Sequence, residues 1–424
     1  MFPRMIHVRQ RLESAPLGDP GEALAEGLAR IGAGGLPRPG SRVAVAVGSR
    51  GIDGIVTVVA CLVQRLKGMG AVPFIIPSMG SHGGATARGQ EMVLRSLGVT
   101  EESVGAPVIS SMETVSLGVT PGGAEAFMDK SAMEADAVVV VNRVTPHTMY
   151  GGPVQSGVLK MLAVGLGKRD GARSLHRHGF GAPQLIGEMA DLALRSLREV
   201  IAVALVEDGR RELSRLEVLG PEEIEAREPQ LLDLAMSMSP GIPVGRIDLL
   251  VVDEMGKEIS GTGMDPGITG RGKDTAERGA GFYSRRIVVL GLTEGSRGNA
   301  TGVGHADIIT EDLYRSIDRE VTYENVMTSG ELERARVPVA AATDRDAVDL
   351  ALRSLGNPDC ETVRVVRIKN TRELEELLVS KAVARETEGR EGVLVLGEEE
   401  AMEFDSSGKI LPSGGKRGGD GDER

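Results

Sequence analysis

The sequence predicts an α/β fold: two α/β domains with largely parallel sheets and an active-site cleft between them. Three observations lead there. Short aliphatic, β-branched runs alternate with stretches whose apolar residues recur every three or four positions, the mark of strand followed by helix. The chain of 424 residues is about three times the usual single-domain length, so two packed domains are expected. Glycine, at 58 residues, is about twice its ordinary share, and it gathers in short clusters between the strong patterns, where a backbone can approach a ligand.

Taken in order, residues 42–48 (RVAVAVG) read as a buried strand. Ile52, Ile55, Val56, Val59, Val63 and Leu66 then recur at helical spacing until Gly68 and Gly70 close the element. A strand at 72–77 leads into the loop SMGSHGG, 78–84, and a helix from about 86 to 97, ended by Gly98. After an irregular stretch containing 108–111, the run ADAVVVVNRV at 135–144 is the most hydrophobic strand and suits a central parallel position covered on both faces. A helix at 184–198 leads into a strand at 200–206. The Pro/Gly/Ser segment 237–245 marks the boundary. Residues 1–236 are thus expected to form the N-terminal catalytic, cofactor-binding domain, and 246–404 a C-terminal α/β domain. That second domain carries strands at 247–252, 286–292 and 362–368, with Gly-rich loops at 257–273 and 295–304. The polar residues 405–424 read as a disordered tail.

Composition narrows the function. An aromatic share of 2% with no Trp argues against base-stacking platforms, and a net charge of -12 gives no footprint for nucleic acid or anionic lipid. Two distant cysteines, Cys61 and Cys360, exclude a disulfide framework, a Cys-rich zinc site and a protein-ligated iron–sulfur cluster, and fit a reducing compartment. The first residues hold no apolar signal-like region, and the aliphatic run at 55–63 is too short to cross a bilayer. The expectation is a soluble cytoplasmic protein acting on a small molecule. Neither a nucleic-acid nor a membrane partner is expected, and the oligomeric state stays open.

There are six histidines: His7, His82, His147, His176, His178 and His305. His82 and His147 both lie in Gly-rich loops that follow predicted strands, and in an open parallel sheet ligands sit beyond the carboxyl ends of strands. Histidine can take and return a proton near neutral pH. Two of them on opposite faces of one carbon could invert its stereochemistry, so the pair points to racemisation or epimerisation. The HRHG segment offers a metal ligand at His176 or His178; no Cys or carboxylate cluster lies near in sequence, so a metal there needs most of its donors from elsewhere. Lys160 lies 13 residues after His147 and 16 before His176, in an apolar setting that could lower its pKa and make it nucleophilic. Arg50, also at a strand end, suits a carboxylate or phosphate. Lys257 and Arg297 in the later Gly-rich loops are candidate substrate-binding residues. Neither GLGKRDG at 165–171 nor GTGMDPG at 261–267 fits the dinucleotide fingerprint, each having one residue too many, and no P-loop is present.

The succession GSRG, PSMGSHGGAT, VNRVTPHT, SGVLKM, GLGK and LHRHG resembles the N-terminal domain of the nickel-dependent lactate racemase family, over roughly residues 40–180. That family also contains racemases and epimerases of other 2-hydroxy acids. The resemblance implies a nickel pincer nucleotide, a pyridinium mononucleotide gripping nickel through sulfur, carbon and sulfur. Lys160 would be its tether and His176, or alternatively His178, the protein ligand. Arg50 and the 78–84 loop around Ser81 would help bind the cofactor. His82 and His147 would be the acid/base pair: one removes the hydroxyl proton while the C2 hydride passes to the cofactor, and hydride returns to either face of the planar keto acid. Gly83 and Gly84 after His82, the longer interval from His147 to Lys160, and Gly51 after Arg50 depart from the family pattern and suggest a different, bulkier hydroxy acid. The competing reading is a non-catalytic protein whose Gly-rich loops hold a nucleotide or another phosphorylated ligand, a cofactor carrier.

Overall fold

The structure, a computed structural model, describes residues 2–32, 37–147, 151–179, 182–271 and 283–412. Positions 148–150 of the loop after His147, 272–273 of the later Gly-rich loop and 413–424 of the expected tail lie outside the described residues. The chain divides into two compact units, one of residues 13–239 and one that joins residues 1–12 to 240–424.

The division departs from the expected 1–236 at its start. Strand β1 (Met5–Gln10) belongs with the later residues, because Ile6 and Val8 are buried in the core built by that part of the chain. Its sequence, MIHVRQ, alternates apolar and polar, which is the pattern of a strand with one buried face.

In the 13–239 unit, β2 (Arg42–Val47), β3 (Val72–Pro77), β6 (Ala137–Arg143) and β7 (Val200–Glu207) pair in parallel, and β8 (Leu213–Leu219) closes the sheet antiparallel to β7. The order is β3-β2-β6-β7-β8. Alternate residues of each strand enter opposite cores: Ala44, Ala46, Val138, Val140, Ala202 and Ala204 one, and Val43, Val45, Val139, Val141, Ile201 and Val203 the other. A sheet covered on both faces needs continuous aliphatic runs, which is why these strands carry the strongest sequence signal. Between β3 and β6 the chain forms an antiparallel hairpin of β4 (Thr114–Val119) and β5 (Glu125–Asp129), where the sequence suggested only irregular chain. Residues of β4 are half-buried or exposed, so no aliphatic run announces it.

The other unit holds an eight-stranded mixed sheet. Strands β9 (Arg246–Met255), β10 (Tyr283–Leu292), β11 (Ile308–Thr310), β12 (Val339–Ala341) and β13 (Val365–Ile368) pair in parallel. Strand β14 (Glu376–Ser380) then pairs antiparallel with β13 and β1, and β15 (Val393–Glu400) lies antiparallel on the far side of β1. The tail does not begin at Asp405 as expected. The Asp405 carboxylate accepts from the Ser407 and Lys409 amides, Phe404 bridges to Ile410, and the Ile410 amide donates to Asp344.

Among the described residues no helix is long and apolar enough to cross a membrane.

Because β1 sits between β14 and β15, removing residues 2–12 deletes the buried Met5, Ile6 and Val8 and opens two strand pairings. Each such side chain contributes about 1.5–3 kcal/mol of burial. Hydrogen exchange of the truncated chain should show lost protection across β13 to β15, with 13–239 unchanged. Unchanged protection in β14 and β15 would contradict the strand's role.

Candidate functional site

Four parallel strands side by side bring their carboxyl ends to one edge of the 13–239 sheet, and the loops that follow carry Ser49 and Arg50, His82, His147 and, ending β7, Glu207. Pairing of Val47 with Pro77 puts the loops after β2 and β3 next to each other. Ser49 Oγ then lies 2.5 Å from His82 Nδ1. The Arg143 guanidinium, at the end of β6, pairs with Glu207, whose other carboxylate oxygen accepts from the Asp53 amide at 2.9 Å. Glu207 thereby ties the loop after β2 to the ends of β6 and β7.

Lys160 arrives from below this edge. It ends the single helical turn Val158–Lys160 and is followed directly by a π-helical turn, Met161–Gly165, a form concentrated at functional sites. The Asn142 side chain, at the end of β6, donates to the Gly157 carbonyl at 2.8 Å and so fixes where the turn begins. At Gly48 a Cβ would sit in ordinary contact with Asn142 and Met161, so the end of β2 and the lysine turn run close together. Burial, and then the neighbouring Arg50 charge, push the Lys160 amine down to about 7. The Arg50 guanidinium is itself held below its ordinary value by desolvation and by Arg143. Arg50 thus lies near both Arg143 and Lys160 and follows Ser49, whose hydroxyl meets His82, with Glu207 as counter-charge to Arg143.

Under the lysine turn sits Glu228, 2% exposed, on the helix Pro221–Met238. Its carboxylate accepts from the Leu159 amide at 2.9 Å, and burial pushes the carboxyl up to about 7. A Cβ at Gly157 would collide with it, which explains the glycine in SGVLKM. Glu228 could have been found in the sequence: with Ile224, Leu231 and Ala235 it lies on the buried face of that helix.

The loop carrying His82 is fastened from beneath. Lys168 and Asp129, both fully buried, form an ion pair at 2.9 Å, and Lys168 Nζ also donates to the Pro77 carbonyl at 2.5 Å and to Gln90 Oε1 at 3.4 Å. Burial pulls the ammonium pKa down, opposed by Asp129. The sequence gives Lys168 no individual role: GLGK counts among the motifs of the resemblance, and GLGKRDG fails the dinucleotide fingerprint.

The remaining candidates are placed as follows. His147 is half-buried in the loop after β6, its amide donating to Gln155 Oε1 at 2.8 Å. His176 is half-buried at the end of the helix Lys168–His176, and His178 is exposed two residues on, against the hairpin turn at Gly123. The structure sets Arg50 near Lys160, its neighbour Ser49 against His82, and His147 in a loop at the same sheet edge. Lys257 and Arg297 belong to the other unit, where Lys257 Nζ donates to Gly261 O and Asn325 Oδ1, and its amide donates to Ser296 beside the exposed Arg297. The glycines of their loops answer to protein backbone and side chains: a Cβ at Gly295 would strike Glu258, and one at Gly302 the Thr262 carbonyl.

Among the described residues no group of three or more His, Cys, Asp or Glu could hold a metal ion. A metal near His176 therefore needs donors carried in by a ligand, and a lysine amine with a pKa near 7 fits a group attached covalently.

Residues 22–185 match the family described as Lactate racemase N-terminal domain. No curated protein matches the chain. Among solved structures it is similar to the lactate racemase apoprotein from Thermoanaerobacterium thermosaccharolyticum, at 14% identity over 85% of this chain and 99% of that one, with a TM-score of 0.50. It is also similar to a crystal structure of a protein from Thermotoga maritima, at 16% identity over 66% and 72%, with a TM-score of 0.50. At these identities the likeness establishes a shared fold.

A lysine with a pKa near 7 is half deprotonated at neutral pH, whereas an ordinary lysine needs pH above 10. In peptide mapping after brief acetylation, Lys160 labelling should rise through pH 7 and level off by about pH 8. Labelling that climbs steadily to pH 10, as at an exposed lysine, would contradict the assigned environment.

Proposed function

We propose that this chain, whose residues 22–185 match the Lactate racemase N-terminal domain, interconverts the stereoisomers of a 2-hydroxy acid. The observation that carries the reading is the gathering of His82, Arg50 and a low-pKa Lys160 at the strand-end edge where His147 also lies. In this reading the Arg50 guanidinium holds an anionic group, a carboxylate or a phosphate, and keeps it charged because an arginine stays protonated even when its pKa is lowered. The Lys160 amine, largely neutral at physiological pH, attaches the cofactor. His176, with His178 as the alternative, supplies one nitrogen to a metal whose other donors come with the cofactor. The nickel pincer nucleotide, when bound, supplies a hydride acceptor, which answers a difficulty the side chains alone leave: the C2 proton of a hydroxy acid carboxylate is too weakly acidic for an imidazole.

The protein's own work is then proton handling and orientation. His82 and His147 exchange the hydroxyl proton from opposite sides of the substrate, each serving as base in one direction and acid in the other. The tight approach of Gly83 to Gly89 keeps the His82 loop against the helix Ala87–Ser96, so the imidazole is presented by a fixed backbone. A small-molecule substrate and a cytoplasmic setting accord with the composition and with the lack of a spanning helix among the described residues.

Full-length protein produced together with the enzymes that make the cofactor should interconvert the enantiomers of a small 2-hydroxy acid, followed by chiral chromatography. His82→Ala and His147→Ala should each lower that rate by roughly 10²–10⁴-fold, the range a general acid/base group contributes. Activity should fall at both low and high pH, as two alternating groups require. A protein that binds cofactor yet leaves every enantiomer untouched would favour a cofactor carrier instead.

A further inference from the structure

We infer that Ser49, Gln90 and Lys168 are positioning residues that together set the orientation and tautomer of the His82 imidazole; the inference rests on the reading of His82 as an acid/base group.

The segment that carries His82 is held from within only by short turns. Gly80, Gly83, Gly84 and Ala85 all have positive φ, between +52° and +67°, and its own backbone bonds run from the His82 amide to the Met79 carbonyl at 3.1 Å and from the Ala85 amide to the Ser81 and His82 carbonyls at 3.1 and 3.3 Å. Side chains add to these. Gln90, fully buried on the helix Ala87–Ser96, donates from Nε2 to the Gly80 carbonyl at 2.8 Å and to the His82 carbonyl at 3.3 Å, and so spans the histidine's own backbone. An amide can do this in only one of its two orientations. The Lys168 ammonium on Oε1 imposes that orientation, because a cation that only donates must face the oxygen. Lys168 is in turn fixed by the Pro77 carbonyl, one residue before the loop, and by Asp129.

Lys168 also occupies backbone where glycine would be unstrained, with φ of +51°, so its side chain is retained despite the conformation. A buried ion pair is not retained for stability, since apolar replacements of similar volume are commonly as stable or more so. What the charge adds here is direction: it orients one amide and one strand end, and both bear on His82.

The ring is set from the other side. Ser49 follows β2, whose register against β3 brings its hydroxyl to His82 Nδ1. If the Ser49 oxygen accepts the Nδ1 proton, that proton stays in place in both working states, imidazole and imidazolium, and proton exchange falls to Nε2. Ser49 then needs no reorientation during turnover.

The test uses full-length protein with ¹⁵N-labelled histidine and needs no cofactor or substrate. Two-bond ¹H–¹⁵N spectra should show His82 predominantly as the Nδ1–H tautomer. Ser49→Ala should convert it to a mixture of tautomers, and Ser49→Thr, which keeps the hydroxyl, should restore it. Lys168→Met risks leaving Asp129 buried and alone, so the informative variant is Lys168→Met with Asp129→Asn, which removes both charges and keeps an Oδ1 for the Ser131 and Ala132 amides that Asp129 caps. That protein should keep the parent melting temperature within a few degrees while the His82 signals broaden or split. With cofactor loaded, Ser49→Ala should lose about tenfold to a hundredfold in kcat with KM little changed, the range typical when a supporting hydrogen bond to a functional histidine is removed. His82 spectra identical to the parent in both Ser49→Ala and the double variant would overturn the inference. Full activity in His82→Ala would instead overturn the acid/base reading and leave the spectroscopic result standing.

Discussion

The ion pair between Lys168 and Asp129 is the constraint on which the site depends. It is fully buried, and it joins four pieces of chain that the sheet alone does not connect: the end of β3, the helix bearing Gln90, the hairpin strand β5, and the start of the helix Lys168–His176. One end of that last helix is locked under the His82 loop and the other presents His176, so a single contact fixes the candidate proton-transfer residue and the candidate metal ligand to a common frame. The left-handed backbone at Lys168 costs about 1–2 kcal/mol, and taking two charges out of water costs several more. A fold that tolerates both has put orientation ahead of stability at this point, which is where working sites store strain.

The parallel sheet supplies the second half of the arrangement. Adjacent parallel strands end together, so Ser49, Arg50, His82, His147 and Glu207 share an edge without long loops having to reach for one another. Lys160 joins them through a turn pinned at its start by Asn142 and at its amides by Glu228. Its lowered pKa follows from two local causes, burial and the charge of Arg50. The same two conditions make the amine a nucleophile, and the Arg50 charge makes this edge attractive to anions.

What the sequence made legible follows from this physics. Strands covered on both faces must be aliphatic throughout, so β2, β3, β6 and β7 could be read directly, and the loops after them pointed to Arg50, His82 and His147. Strands with one open face carry a weaker pattern: β4 and β5 passed for irregular chain, and β1, short and alternating, was hidden at the start of the chain. The supporting residues were invisible for a different reason. Lys168 meets Gln90 across 78 positions and Pro77 across 91, and Ser49 meets His82 across 33, so no local spacing announces them. Glycine misled in part. Several clusters exist because one segment of protein crosses another, as at Gly89 against Gly83 and Gly304 against Glu333, with no ligand needed to explain them.

The proposed function requires Lys160 to carry a covalently attached, metal-bearing nucleotide at this sheet edge. Intact mass and nickel content of full-length protein produced with the cofactor-making enzymes test it most directly. Added mass should map to the peptide containing Lys160 and be absent from Lys160→Ala, and close to one nickel per chain should be bound and lost in His176→Ala. An unmodified Lys160 with no bound nickel, in a preparation where a known member of the family is loaded, would contradict it.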